Sequence, residues 1–194
     1  MTACLRAEDG TALPERAYRW LGPLTMADHD VLARAESPVL DVGCGPGRHV
    51  LALAERGVVA LGIDITPAAI DLARRRGAPV LGRSVFEHVP GAGRWATVLL
   101  LDGNLGIGGD PAALLARAVA LLRPGGVLLV ELEPTRTSPH ARLVRFDIDG
   151  GESPWFAWMP VGAADLPALA AATGVRIDDV WHTCGRCFGS LRRG

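Results

Sequence analysis

The chain has 194 residues, 49% of them hydrophobic and 21% charged, with a formal net charge of −1. That length supports one domain with a sizeable core, and the balanced charge gives no reason to expect a nucleic acid or an anionic membrane as partner. No apolar run reaches the roughly 18 residues of a membrane span, and Arg6, Glu8 and Asp9 near the start speak against a signal peptide, so a cytoplasmic location is expected. Residues 1–24 are turn-rich, with Asp9-Gly10, Pro14 and Pro23. Residues 15–21, which hold Arg19, Trp20 and the sole tyrosine, Tyr18, have room for one or two helical turns. A better helix opens at Thr25, an N-cap with Asp28 three residues on in the manner of a capping box and Val31 and Leu32 on the buried face.

Val39 to Val42 reads as a short buried strand with Asp41 near its end. Glycines follow at 43, 45 and 47, and then a helix-compatible run from Arg48 to Arg56. Strand, glycine turn and helix form the first unit of a nucleotide-binding α/β domain. The dinucleotide fingerprint G-x-G-x-x-G fails, because Arg48 stands where its third glycine belongs. The phosphate loop fails too, since no Lys follows. What fits is acidic-x-Gly-x-Gly-x-Gly.

Val58 to Asp64 reads as a second buried parallel strand, continuous in apolar residues. Its terminal Asp64 lies 21 positions after Gly43, about where an acid meets a ribose diol. The other role open to Asp64 is as the N-terminal carboxylate of the next helix, Pro67 to Arg76, which Thr66 and Pro67 begin. Val80-Leu81 is a third strand, followed by Ser84-Val85-Phe86-Glu87. Trp95 to Asp102 is a fourth strand, again ending in an acid. The loop after it, Gly103 to Asp110, holds four glycines, more than a plain connector needs, and suggests close approach of backbone to ligands. Asp110 and Pro111 then cap a helix to Leu122, which stops at Arg123-Pro124-Gly125-Gly126 before a fifth buried strand ending in Glu131.

Residues 134–139 read as a loop. Ala141 to Ile148 and Pro154 to Val161 read as two strands around Asp149-Gly150-Gly151-Glu152, a hairpin signal. A helix from Asp165 to Thr173 and closing strands Val175 to His182 and Arg186 to Leu191 complete the chain. Cys184 and Cys187 form a C-x-x-C whose spacing suits zinc or redox chemistry, but Cys4 and Cys44 offer no second ligand pair. A tight turn between two final strands is the simpler reading, and no metal is expected.

The glycine turn resembles motif I of the class I S-adenosylmethionine-dependent methyltransferases of small-molecule, bacterial type, and the Arg-Pro-Gly-Gly turn and the strand ending in Asp102 resemble later motifs of that family. Motifs carry the resemblance over residues 38–133, and element order alone carries the rest. It implies one doubly wound Rossmann-like α/β domain: a seven-stranded, mostly parallel sheet with an antiparallel last strand, helices on both faces, and room for a β-hairpin insertion after strand five. Residues 38–194 would be the cofactor-binding part and 1–37 a helical lid. The implied cofactor is S-adenosylmethionine, bound by Asp41, Gly43, Cys44, Gly45, Gly47, Asp64, Ile65, Ser84, Val85, Phe86, Leu101, Asp102 and Gly103. Ser84 departs from the family, which often has an acid there to receive the adenine amino group. Asp102 is the one catalytic candidate, equally placed to orient the cofactor. Trp20, Asn104, Trp155 and Trp158 are acceptor-pocket candidates, although each tryptophan has an ordinary packing role open to it. The expected reaction is in-line methyl transfer to a small molecule by a monomer or homodimer. Aminopropyl transfer, cyclisation and a non-catalytic binding module remain the alternatives.

Overall fold

The structure, a computed structural model, describes residues 3–13, 19–133, 140–148 and 151–194. Tyr18, the 134–139 loop and the Asp149-Gly150 half of the expected hairpin tip lie outside the described residues.

Two sheets form. Among the described residues the larger has seven strands, in the order Arg176–Thr183, Arg186–Arg192, Leu122–Leu132, Trp95–Leu100, Val39–Val42, Ala60–Asp64, Val80–Gly82. Its parallel half is β3 (Val39–Val42), β4 (Ala60–Asp64), β5 (Val80–Gly82), β6 (Trp95–Leu100) and β7 (Leu122–Leu132). β12 (Arg186–Arg192) runs antiparallel to β7, and β11 (Arg176–Thr183) runs antiparallel to β12 at the edge. Parallel strands with both faces covered are apolar throughout, and every residue of β3 and β6 is buried. Alternation then sorts the side chains. Leu40, Val98, Leu128 and Val130 meet Leu114, Leu115, Ala118 and Leu121 of the helix Pro111–Leu121. Val39, Leu99, Leu101 and Leu129 face the other way, onto Val31 and Leu32 of the helix Met26–Ala33 and Leu53 of the helix Arg48–Glu55.

Two expected boundaries are refined. The Arg-Pro-Gly-Gly stretch is not a turn ahead of the fifth strand but an irregular part of it. β7 begins at Leu122, pairs with Trp95, and shifts register before Val127 meets Thr97. Gly125, at φ +72, takes a backbone shape that a side chain disfavours. The C-x-x-C stretch is the two-residue turn joining β11 to β12. Thr183 pairs with Arg186 across it, and Cys184 and Gly185 both have positive φ, as a tight hairpin requires.

The smaller sheet was not foreseen. The leading segment is strand before it is helix: β1 (Ala3–Ala7) and β2 (Ala12–Leu13) pair as a hairpin, and only residues 19–21 and Met26–Ala33 of the described part are helical. β1 also pairs with β8 (Arg142–Ile148), which carries β9 (Gly151–Glu152) and β10 (Phe156–Trp158). The strands after β7 therefore join the start of the chain in a five-stranded sheet with its own core of Leu5, Ala7, Val144 and Trp158.

This sheet docks on the glycine-rich loop after β6. A Cβ on Gly106 would lie 2.0 Å from the carbonyl oxygen of Met159, and one on Gly109 would lie 2.9 Å from Cβ of Ala157. Backbone bonds seal the contact: Gly108 N donates to Ala157 O at 2.8 Å, and Met159 N to Gly106 O at 3.0 Å. Gly106 and Gly109 serve close approach of protein to protein, while Gly108 of the same loop also lines the cavity.

Candidate active site

A cavity of about 250 Å³ opens where β3, β4, β5 and β6 end, and the small sheet covers one side of it. Open α/β sheets bind ligands at this edge of the strands.

The glycine turn forms its floor. Gly43 is closed in by Asn104, whose Nδ2 would be 2.7 Å from a Cβ there. Asn104 Nδ2 donates to the carbonyls of Val42 and Gly43 at 2.8 and 2.9 Å, so this expected acceptor contact is spent on clamping the turn while still lining the cavity. Gly45, at φ +51, would point a Cβ into open space. Gly47 does not line the cavity, because a Cβ there would strike Ala78 at 2.8 Å; it serves packing.

Asp64 stands at the end of β4 in the cavity wall. Gly45 N donates to its Oδ2 at 2.8 Å and Thr66 N to its Oδ1 at 2.7 Å. It thus braces both the glycine turn and the start of the helix Pro67–Arg75. Burial raises its pKa above the usual value, against those two amide bonds. Ile65, Ser84, Val85 and Phe86 line the same end. Ser84 Oγ accepts from Phe86 N at 3.3 Å.

Asp41 is buried and does not line the cavity. Its Oδ2 has no hydrogen bond among the described residues, with His49 Nδ1 at 3.5 Å. Leu101 is likewise buried core, and Gly103 contributes its carbonyl to Trp158 Nε1 at 2.9 Å. None of the three meets the cavity directly.

Beneath the cavity lies a buried charge network. Asp28 is fully buried and accepts from Arg48 Nη1 at 2.6 Å and Arg186 Nη1 at 2.7 Å, with His49 Nε2 3.4 Å away. Burial pushes its pKa up, but His49, Arg48 and the Thr25 amide outweigh that and hold it far below the usual carboxylate range. Arg186 also donates to Glu131 at 2.8 and 2.6 Å and to Asp102 at 3.2 Å. Burial opposes the charge of Arg186, yet Glu131 and Asp28 raise its pKa on balance. His49 follows the same pattern: burial lowers its pKa, and Asp28 and Asp41 lift it to about 9. Arg19 donates to Glu131 Oε1 at 3.3 Å.

Asp102 sits on this network with φ +56. Arg48 Nη2 donates to its two oxygens at 3.0 and 2.8 Å, and Glu131 accepts from its backbone N–H at 2.6 Å. Arg186 Nη2 is a second guanidinium contact, 3.2 Å from Oδ1. The geometry suits fixing the strand end better than general-base catalysis.

The acceptor side is aromatic. Trp20 packs edge-on to Phe146 at 4.7 Å, and Phe146 stacks on Phe156 at 5.6 Å. These three rings and Trp158 line the cavity. Trp155 does not: it is 45% exposed, under the Arg145 guanidinium at 4.8 Å. Among the described residues no cluster suited to a metal ion occurs, and the four cysteines are free thiols.

Sequence reasoning missed Asp28, Arg48, His49, Glu131 and Arg186 as site residues. Helical spacing put Asp28 on the face of Val31 and Leu32, and Glu131 interrupts the otherwise apolar run Val127 to Leu132 of the central strand. Both are signals of a buried, partnered charge.

Residues 39–126 match a family model described as a methyltransferase domain. The chain is 32% identical over 176 residues to a trans-aconitate 2-methyltransferase of Paracidovorax citrulli, covering 82% of this chain and 66% of the relative. It is 33% identical over 193 residues to one from Variovorax paradoxus, covering 88% and 71%. It thus spans about two thirds of the length of these curated relatives. A crystal structure of a SAM-dependent methyltransferase from Bacteroides fragilis in complex with S-adenosyl-L-homocysteine superposes with a TM-score of 0.77 at 23% identity, covering 98% of this chain and 87% of that one. The chain belongs to the class I S-adenosylmethionine-dependent methyltransferases. The family's cofactor fits the described residues: Gly45 leaves space that any Cβ would fill, and Asp64 presents a carboxylate into the same cavity. Among the described residues, no helix is long and apolar enough to cross a membrane.

Proposed function

We propose that this chain transfers a methyl group from S-adenosylmethionine to a small-molecule acceptor by in-line displacement. The observation that carries this reading is the meeting of Gly45, Asp64 and the aromatic wall in one cavity at the strand ends. When bound, S-adenosylmethionine supplies a methyl already activated by its positive sulfur.

The protein's own residues then bind, orient and exclude water. Asp64, with one hydrogen bond on each oxygen, retains lone pairs for a ribose diol. Phe86, Val85 and Ile65 offer an apolar slot for an adenine ring, which Ser84 borders without a charge. Asp41 acts from beneath the turn, where its carboxylate and His49 set the local charge. Leu101 and Gly103 act through position alone, as the buried base of the Asp102 turn and the anchor of Trp158. Leu5, Trp20 and Leu21 of the lid segment and the small sheet shield the reacting atoms from water, which favours attack by a held nucleophile.

Among the described residues lining the cavity, Asp102 is held by two arginines, Asp64 by two amides, and His49 by two carboxylates. Burial also pushes the Cys44 thiol well up. The acceptor therefore arrives with its nucleophile already deprotonated, as a carboxylate does at neutral pH. The name of the curated relatives, trans-aconitate 2-methyltransferase, supports an organic acid as the acceptor class.

Calorimetric titration with S-adenosylhomocysteine, with NAD as control, tests the reading. Tight binding of the first and none of the second is expected, and the reverse defeats it. Among turnover products, methylthioadenosine in place of S-adenosylhomocysteine would turn the assignment to aminopropyl transfer.

A further inference from the structure

The acceptor wall narrows the substrate class beyond methyl transfer to an organic acid, the reading on which this inference rests. The wall is built from Leu5 of β1, Trp20, Phe146 of β8, and Phe156 and Trp158 of β10. Trp20, Phe146 and Phe156 form a continuous ring contact. Trp158 turns its only polar atom onto the Gly103 carbonyl, leaving its carbon surface for the cavity. Every one of these residues meets a ligand with carbon.

A polyanion needs the opposite. Each carboxylate taken from water must be met by a cation or by hydrogen-bond donors. Two of the three cations that line the cavity among the described residues are already held by carboxylates. Arg48 binds Asp28 and Asp102, His49 lies between Asp28 and Asp41, and Arg83 donates to the His88 carbonyl. Asp64 and Asp102 add negative charge to the same lining. Only Arg83 of these three cations has no carboxylate partner among the described residues, so a second and third carboxylate would have to displace an existing ion pair.

We propose that the acceptor is a flat, largely apolar acid with a single anionic group, its ring or conjugated body laid against Phe146, Phe156 and Trp158. Flat rings suit such a wall because offset-stacked and edge-on contacts add to apolar burial. On this reading the chain parts from the polyanionic acceptor in its relatives' name, trans-aconitate, a tricarboxylate.

A matched pair of acids tests it. trans-Cinnamate and trans-aconitate share the propenoic acid unit, and a phenyl ring in the first replaces the extra acid groups of the second. Each is titrated calorimetrically into the full chain saturated with S-adenosylhomocysteine, and S-adenosylmethionine then reports ester formation. Cinnamate should bind at least tenfold more tightly than aconitate and be the one esterified. Phe156→Leu should weaken cinnamate at least fivefold while S-adenosylhomocysteine affinity, the check on folding, stays within twofold. Aconitate binding as tightly as cinnamate, or neither acid binding at millimolar concentration to a protein that holds S-adenosylhomocysteine, would overturn the acceptor class alone. Failure to bind S-adenosylhomocysteine would overturn the methyltransfer reading along with it.

Discussion

Arg186 and Glu131 form a bidentate pair between neighbouring strands, with Nε 2.8 Å from Oε1 and Nη2 2.6 Å from Oε2. Both side chains are buried, and the same guanidinium reaches Asp28 and Asp102. One residue of the closing hairpin therefore ties the helix Met26–Ala33, the end of β7 and the turn after β6 together beneath the cavity. Removing it leaves three carboxylates facing one another with less positive charge. Breaking a buried pair in this way costs about 3–5 kcal/mol. Arg186→Met should lower the unfolding free energy by that amount in urea melts. The double variant Arg186→Met/Glu131→Met should recover part of the loss, since the stranded charge goes with it.

His49 makes stability depend on pH. Its pKa of about 9 in the folded chain, set by Asp28 and Asp41 against the effect of burial, stands above the roughly 6.5 of an unfolded histidine. Folding therefore favours the protonated ring. The stabilisation is complete below about pH 6.5 and is lost as pH rises through about 9, at most about 3–4 kcal/mol in all. Thermal melts between pH 6 and 10 should show the loss. His49→Gln should flatten that limb, and an unchanged slope in the variant would place the effect elsewhere.

The parallel half of the large sheet was legible because its signals are local. Val39–Val42 and Pro67 carry their own strand and helix-start patterns within a few residues. The C-x-x-C stretch read correctly as a turn for the same reason. The small sheet left no such trace. Cys4 pairs with Asp147 and Leu5 with Phe146, so the evidence for β1 lies at the far end of the chain, and a pairing of such range has no local pattern to announce it. Asp28 shows the other way a reading falls short: the capping box with Thr25 is real, and having one sufficient role it concealed a second. Arg48 was weighed as a failed glycine when its positive charge was the informative property.

The docking of the small sheet makes Gly106 a sensitive position. A methyl group there meets the backbone of Met159 at 2.0 Å, and backbone cannot swing aside as a side-chain tip does. Gly106→Ala should force the loop after β6 away from β10, at a cost of about 1–3 kcal/mol for overpacking. The displacement falls on the acceptor wall and spares the Gly45–Asp64 end. Acceptor KM should rise several-fold while S-adenosylhomocysteine affinity changes little. A fall in cofactor affinity as large as the rise in KM would show that the two ends of the cavity are not separable.

Asp64 tests the cofactor end. Its carboxylate gathers two backbone amides and faces the cavity, while burial raises its pKa, so the charged form is held at some cost until donors reach it. Ribose hydroxyls would be such donors. Asp64→Ala removes that acceptor and also releases Gly45 N–H from the turn. The loss of charged hydrogen bonds corresponds to about 1–3 kcal/mol of cofactor affinity, or roughly 5- to 150-fold in Kd for S-adenosylhomocysteine. Because the variant also frees Thr66 N–H, thermal stability is measured beside affinity. Asp64→Asn, which keeps one oxygen for the amides, should recover much of the stability and less of the binding. Equal recovery of both would reduce Asp64 to a brace for the turn and leave the ribose without its proposed partner.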